Sequence, residues 1–185
     1  MSELSPVERS ELRKFGPWTI GIGVLLILIG MIGVGMPWVL SIVTSVYVAW
    51  LFLLGGAFWA YHTFKSHPGS FLDWLKPLLL IVTGGLMLFN PMAGVAALGL
   101  VLSFYLLLDA FGSFALAKAL HPQTGWGWMV FNGLVSLLLA ILFLIGWPAT
   151  SMMLVGIYVG ISLIFDGSAL VAIGWAIRKV TREVG

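Results

Sequence analysis

The sequence predicts an all-α membrane protein in which six transmembrane helices form three repeated helical hairpins, with both termini in the cytoplasm. Its composition, six long apolar segments and the distribution of its charges lead to this prediction. Of the 185 residues, 61% are hydrophobic and 9% are charged, whereas water-soluble domains carry about 25% charged residues. A soluble protein of this composition would aggregate, so the lipid bilayer is the expected solvent.

The nine Lys and Arg residues all lie on one side of the membrane that the apolar segments define. They precede the first segment, follow the last, or lie near the connections after the second and fourth segments. The other three connections, around Pro37, Pro91 and Pro148, carry no charge. Positively charged loops stay in the cytoplasm, so this distribution predicts cytoplasmic amino and carboxyl termini.

The chain begins with a polar head at residues 1–16. Ser5 and Glu8 fit a capping box, and Pro6 suits the first position of a helix. We expect a short amphipathic helix that lies on the inner membrane surface and ends at Gly16-Pro17. The alternative is a frayed tail.

Three proline-centred repeats follow the head, at residues 17–64, 74–119 and 126–179. A short cytoplasmic tail at residues 180–185 ends the chain. In each repeat one apolar run closes just before a proline and a second run follows it. Proline disfavours helix in the preceding residue and suits the first turn of the next helix. We therefore assign Pro37, Pro91 and Pro148 to tight outer turns. The helices that they join are predicted at residues 18–36 and 38–62, 75–90 and 92–118, and 127–147 and 149–177.

Glycines recur within the apolar runs, as in Gly84-Gly85 and in the spacing of Gly156 and Gly160. Small residues let helix backbones approach closely in lipid, where no hydrophobic force drives helices together. We expect a compact bundle without room for a wide aqueous pore.

Two acidic residues lie inside the predicted spans, Asp109 and Asp166. Each follows the proline of its repeat by 18 residues, and Gly55 holds that position in the first repeat. At ~1.5 Å per residue, both carboxyl groups lie ~26 Å from the outer turn, in the inner third of a ~30 Å hydrocarbon core. A carboxylate at such a position costs on the order of 3 kcal/mol.

Apolar surroundings favour the neutral form of a carboxyl group, so Asp109 and Asp166 are candidate proton-titrating groups. The structural alternative is that each Asp hydrogen-bonds a neighbouring helix or pairs with a basic side chain near the inner interface. The candidate basic partners are Lys118, Arg178 and Arg13.

The sequence contains no pattern typical of a catalytic, cofactor-binding or metal-binding site. It has no cysteine, and its three histidines, His62, His67 and His121, are scattered near predicted cytoplasmic loops. No Ser/His/Asp set, phosphate loop or dinucleotide-binding fingerprint is present. No basic patch indicates nucleic acid. We therefore predict a non-enzymatic protein without catalytic residues, cofactor, metal or nucleic-acid partner.

Three proline-centred hairpins with glycine-rich first helices resemble the HdeD family, small bacterial membrane proteins with a short repeat of unknown biochemical function. The residues that carry the resemblance are 30–37, 84–91, 154–156 and 160–165. The resemblance covers about residues 18–179, and repeat number, topology and total length agree with it. It implies an inner-membrane protein with a part in acid resistance, and it implies no catalytic residue.

The expected function is thus a non-enzymatic role in acid or stress resistance, through protonation of Asp109 and Asp166. One alternative is an accessory or scaffold subunit of a larger membrane complex. Another is a small proton or solute channel or transporter, which would need a continuous polar path. The expected partners are the lipid bilayer and either further copies of the chain or another membrane protein.

Overall fold

The computed structural model of the protein describes residues 6–66 and 71–183. Six α-helices form in these residues and confirm the predicted all-α fold: α1 (Pro6–Gly35), α2 (Pro37–Ser66), α3 (Phe71–Phe89), α4 (Pro91–Leu120), α5 (Trp126–Ile145) and α6 (Ser151–Glu183). Each helix contains an apolar segment of 18 to 30 residues that is long enough to cross a membrane. A span needs about 20 residues, so the chain is a multi-pass membrane protein.

Two of the helices begin at prolines of the predicted turns. Pro37 is the first residue of α2, and Pro91 is the first residue of α4. Proline suits this position because its missing N–H would have no partner in the helix. The Asn90 side chain caps α4 by accepting a hydrogen bond from the Ala93 backbone N–H at 3.2 Å.

The third turn is longer than the sequence predicted. Pro148 lies between the end of α5 at Ile145 and the start of α6 at Ser151. The predicted helices extended two residues too far on either side of this proline. The turn is closed by its own backbone, because the Thr150 N–H donates to the Gly146 carbonyl at 2.9 Å.

The first helix also differs from the prediction, because α1 continues through Gly16 and Pro17. A proline is tolerated inside a membrane helix when nearby groups satisfy the carbonyl that it leaves unbonded. The expected helix end at this point is therefore wrong. The capping box of Ser5 and Glu8 lies outside the residues whose side chains the structure describes.

The chain divides into two compact units. We call the first the terminal unit; it contains the chain up to Pro37 and from Gly156 onward. The second, the internal unit, runs from Trp38 to Val155.

Within the internal unit, α2 and α3 approach closely through small residues. A Cβ atom on Gly84 would lie 2.8 Å from the Ala49 carbonyl oxygen, and one on Gly56 would lie 2.7 Å from Ile81 Cγ1. The buried residues of this contact recur every seven positions: Ala49, Gly56 and Thr63 in α2, and Pro77 and Gly84 in α3. A seven-residue repeat keeps one stripe of each helix facing the other.

The same spacing governs the packing of α4 against α5, also within the internal unit. The buried residues of the seven-residue series are Ser103, Ala110 and Ala117 in α4, and Gly133 and Ala140 in α5. A Cβ atom on Gly133 would lie 2.7 Å from Phe114 Cε1. The three buried α4 positions follow Pro91 by the same intervals at which the α2 positions follow Pro37.

In the terminal unit the seven-residue series consists of glycines. Gly160, Gly167 and Gly174 are buried in α6, and Gly23 and Gly30 are buried in α1. A Cβ atom on Gly23 would lie 2.6 Å from the Gly167 carbonyl oxygen, and one on Gly30 would lie 2.6 Å from the Gly160 carbonyl oxygen. The two backbones touch at these positions, which leaves no room for any side chain.

Buried serine hydroxyls join three helices of the internal unit at their proline ends. Ser41 donates to the Met152 carbonyl at 2.6 Å, and Ser45 donates to the Pro91 carbonyl at 3.1 Å. These bonds connect α2 to the first turns of α6 and α4. Interhelical hydrogen bonds of this kind contribute about 0.6 kcal/mol each in membranes.

Candidate functional site

Asp109 lies at the contact between α4 and α5 and is half-buried. Its Oδ2 atom accepts a hydrogen bond from the Ser136 hydroxyl at 2.7 Å. The same atom accepts a second, longer bond from the Asn132 side-chain amide at 3.3 Å. Both donors belong to α5, so the carboxyl group connects the two helices.

A fourth side chain completes this group. The Asn132 amide also donates to the Ser113 hydroxyl at 2.9 Å, and Ser113 lies one helical turn beyond Asp109 on α4. Ser113 and Ser136 are buried. We call Asp109, Ser113, Asn132 and Ser136 the Asp109 cluster.

The geometry of the Asp109 cluster suits a carboxyl group that accepts hydrogen bonds. Both donors point to one oxygen, Oδ2. A hydroxyl donating to an ionised carboxylate makes a bond roughly twice as strong as one between neutral groups. The Asp109 carboxyl group therefore links α4 to α5 through two hydrogen bonds to a single oxygen.

Asp166 occupies the same position of its repeat but has different surroundings. It lies on α6 in the terminal unit, next to buried Gly167, and its side chain is exposed on the surface of the chain. No hydrogen bond or ion pair joins it to another described side chain. The nearest polar side chain along the helix, Ser168, donates to the Phe165 carbonyl of the same helix at 2.7 Å.

The difference between the two Asp residues follows from the helix that each one meets. In the seven-residue register, Gly133 of α5 corresponds to Gly23 of α1. The residues that correspond to Asn132 and Ser136 are then Ile22 and Leu26. Neither apolar side chain can donate a hydrogen bond to Asp166.

In the α2–α3 pair, other residues occupy the positions equivalent to the Asp109 cluster. Gly55 replaces the Asp, and Lys76 corresponds to Asn132. The Lys76 Nζ atom lies 3.4 Å from the centroid of the Trp59 ring. Trp59 corresponds to Ser113, so this cation–π contact takes the place of the hydrogen bond between Asn132 and Ser113.

The expected ion pairs do not form in the described residues. Neither Asp109 nor Asp166 is paired with Lys118 or Arg178. The side chain of Arg13 lies outside the described residues, as does His67. Among the described side chains, no group of three or more His, Cys, Asp or Glu could hold a metal ion.

Sequence reasoning identified Asp109 but missed its three partners. Asn132 is the polar side chain that could have been found, because it is an amide within an apolar span. Ser136 follows it by one helical turn and therefore lies on the same face. Assigning these side chains to Asp109 required knowledge that α4 packs against α5, which the composition of either helix does not show.

A shallow apolar groove lies on α1, with a volume of about 340 Å³. It is lined by Pro17, Trp18, Gly21, Ile22 and Leu25. None of these side chains can titrate, so the groove has the chemistry of a surface for acyl chains rather than of a reaction site.

The comparisons with known proteins agree with the repeat. The family model described as a short repeat of unknown function (DUF308) matches residues 21–79 and again residues 77–145, more than half of the chain. The first match contains the second half of α1, all of α2 and the start of α3, and the second contains the rest of α3 with α4 and α5. These two matches confirm that the sequence contains an internal repeat. No curated protein and no solved structure matches the chain.

Proposed function

We infer that this chain, which belongs to the family of the short repeat of unknown function (DUF308), is an HdeD-like protein with a non-enzymatic role in acid or stress resistance. The proposal places it in the bacterial inner membrane with both termini in the cytoplasm, on the distribution of Lys and Arg. The observation that carries it is the Asp109 cluster, in which a titratable group connects two membrane helices.

The proposed mechanism is a change in helix packing on proton uptake. At neutral pH the Asp109 carboxylate accepts from Ser136 and Asn132 and holds α4 against α5. When the cytoplasm acidifies, the neutral carboxyl group makes weaker bonds, and the contact loosens. The described groups that hydrogen-bond to Asp109 are uncharged, so under this proposal the charge at the contact changes only with Asp109 itself.

Asp166 is the second candidate titrating group under this proposal. It has no described partner whose hydrogen bonds would change on protonation. Its contribution to an acid response is therefore expected to be smaller than that of Asp109.

The test is survival of a deletion strain at strongly acid external pH, complemented with the wild-type chain or with variants. We expect Asp109→Asn to lose most of the protection while expression is retained, because Asn cannot gain or lose the proton. Asp166→Asn should retain more protection. Ser113→Ala is the matched control, since Ser113 belongs to the cluster but does not touch the carboxyl group.

Full protection by Asp109→Asn would refute the mechanism, and equal survival of the deletion and parent strains would refute the role. A distance measurement on the purified protein tests the mechanism separately from the role in survival. Spin labels on α4 and α5 of the cysteine-free chain should report a distance that changes with pH in the wild type and stays constant in Asp109→Asn.

A second candidate function is an accessory or scaffold subunit of a larger membrane complex. Exposed Asp166 favours it, because an unpaired carboxyl group within an apolar span is costly and a partner would relieve that cost. Co-purification in a mild detergent would support this function, and loss of a partner on Asp166→Leu would assign it to this residue.

A further inference from the structure

We propose that Asp166 of one copy of the chain pairs with Lys76 of a second copy, so that the protein associates with itself in the membrane. Three observations lead to this proposal. They are the Asp166 carboxyl group, which has no partner among the described residues, the Lys76 ammonium group, whose described contact is the Trp59 ring, and the equivalence of the two positions to Asp109 and Asn132, which are in contact.

Asp166 is an acid without a basic partner on a membrane-facing surface. It is exposed, while its neighbour Gly167 is buried against α1. The exposed residues beside it on α6 include Phe165 and Ile173, which suit lipid. Acidic residues within membrane spans usually pair with another group, and no described side chain does so here.

No acidic side chain among the described residues pairs with Lys76. It is exposed on α3, and its described contact is with the ring of Trp59. A cation–π contact leaves the other side of the ammonium group free to bind a carboxylate. In α2, the position equivalent to Asp166 is Gly55, so α2 does not supply an acid at this point.

The repeat predicts a similar depth in the membrane for the two residues. Lys76 is the equivalent of Asn132, and Asp166 is the equivalent of Asp109. Asn132 and Asp109 are in direct contact. We therefore expect Asp166 of one copy to reach Lys76 of another when the two copies lie side by side in one bilayer.

The second copy is the partner because its charge and its depth both match. A two-fold symmetric pair of copies forms this contact twice, and a closed ring forms it once at each junction. In both arrangements every Asp166 is paired with a Lys76.

The test uses thiol crosslinking between copies, which is clean because the chain has no cysteine. Ala169→Cys is placed in one tagged copy and Leu72→Cys in another, each about one turn from Asp166 or Lys76, so the charges are retained. We expect a short bis-thiol reagent to join the two copies. Leu134→Cys, on exposed α5, replaces Leu72→Cys in the matched control and should give little product.

Charge variants then decide whether the ion pair holds the contact. Asp166→Asn or Lys76→Gln in both copies should reduce the crosslinked product about tenfold, because each leaves one charge unpaired. Asp166→Lys should abolish it, and Asp166→Lys combined with Lys76→Asp should restore it. If the two residues had only a structural role, exchanging their charges would not restore the crosslinked product.

The proposal is overturned if no product forms between copies, if the Leu134→Cys control gives as much, or if Asp166→Asn leaves the yield unchanged. A product confined to single chains that carry both cysteines would also overturn it. These measurements involve no acid stress, so their failure would leave the proposed function of Asp109 standing.

Discussion

The α4–α5 pair and the α1–α6 pair carry an Asp at the same position of the repeat, yet they are held together differently. In the first pair, small buried residues leave space for a polar cluster around Asp109. In the second, glycines bring the two backbones into contact, and Asp166 remains outside on the surface. The repeat thus determines where helices approach, whereas the side chains of the neighbouring helix determine whether an Asp at that position is hydrogen-bonded or exposed.

The largest expected effect comes from a side chain placed between the glycines of the terminal unit. Gly30→Ile should destabilise the protein by about 3 kcal/mol, because its Cβ would lie 2.6 Å from the Gly160 carbonyl oxygen and the helices would have to separate. Gly21→Ile is the control, since no atom lies within 4 Å of its Cβ position. Unfolding in mixed detergent measures both variants, and equal stability would contradict the contact.

The next effect distinguishes the two Asp residues directly. Asp109→Leu should destabilise the protein by about 1–2 kcal/mol, because Ser136 and Asn132 lose their acceptor. Asp166→Leu should leave the stability of the single chain unchanged or raise it, since it removes an unpaired acid from an apolar span. The comparison fails if unfolding shows the same loss for both substitutions.

Two substitutions in α1 should give the α1–α6 pair the hydrogen-bond donors that α5 provides in the α4–α5 pair. Ile22→Asn with Leu26→Ser places the donors of α5 at the equivalent positions of α1, within reach of Asp166 if the register is correct. We expect a gain of about 0.6 kcal/mol per hydrogen bond formed. The same graft with Asp166→Leu should give no gain, and a gain in both backgrounds would show that Asp166 is not the acceptor.

The smallest effect concerns Lys76, which occupies the position of Asn132 in the α2–α3 pair. Lys76→Met should cost about 0.5–1 kcal/mol, the range of an exposed cation–π contact. Trp59 fluorescence should change with it, because the ammonium group leaves the ring. Lys65→Met, on α2 near its end, is a control with the same change in net charge, and an equal loss of stability there would contradict the contact.

Most of the fold was predictable because membrane spans follow from apolar length alone. The helices α2 and α4 begin at Pro37 and Pro91, one residue before the predicted starts, since proline is compatible with a helix start. The continuation of α1 through Pro17 was not predicted, because tolerance of an internal proline depends on the groups around it. The longer turn at Pro148 likewise depends on the backbone bond between Thr150 and Gly146.

The candidate site was predictable only in part. Asp109 and Asp166 are equivalent in the sequence, so periodicity and spacing treat them alike. The donors that separate them, Asn132 and Ser136, belong to another helix and lie more than twenty residues away. Close contacts join the second helix of one repeat to the first helix of the next, as in α2–α3 and α4–α5, and α4 contacts α5 more extensively than its hairpin partner α3.

The amino-acid sequence by itself determined that this chain has six helices able to span a membrane and carries an acid at the same position in two of its repeats. This is so because the transfer of a residue into lipid depends on that residue and its neighbours in the chain. Only the tertiary structure decided that Asp109 is hydrogen-bonded and Asp166 is exposed. A hydrogen bond requires two groups at about 3 Å, and that distance is set by which helices pack together.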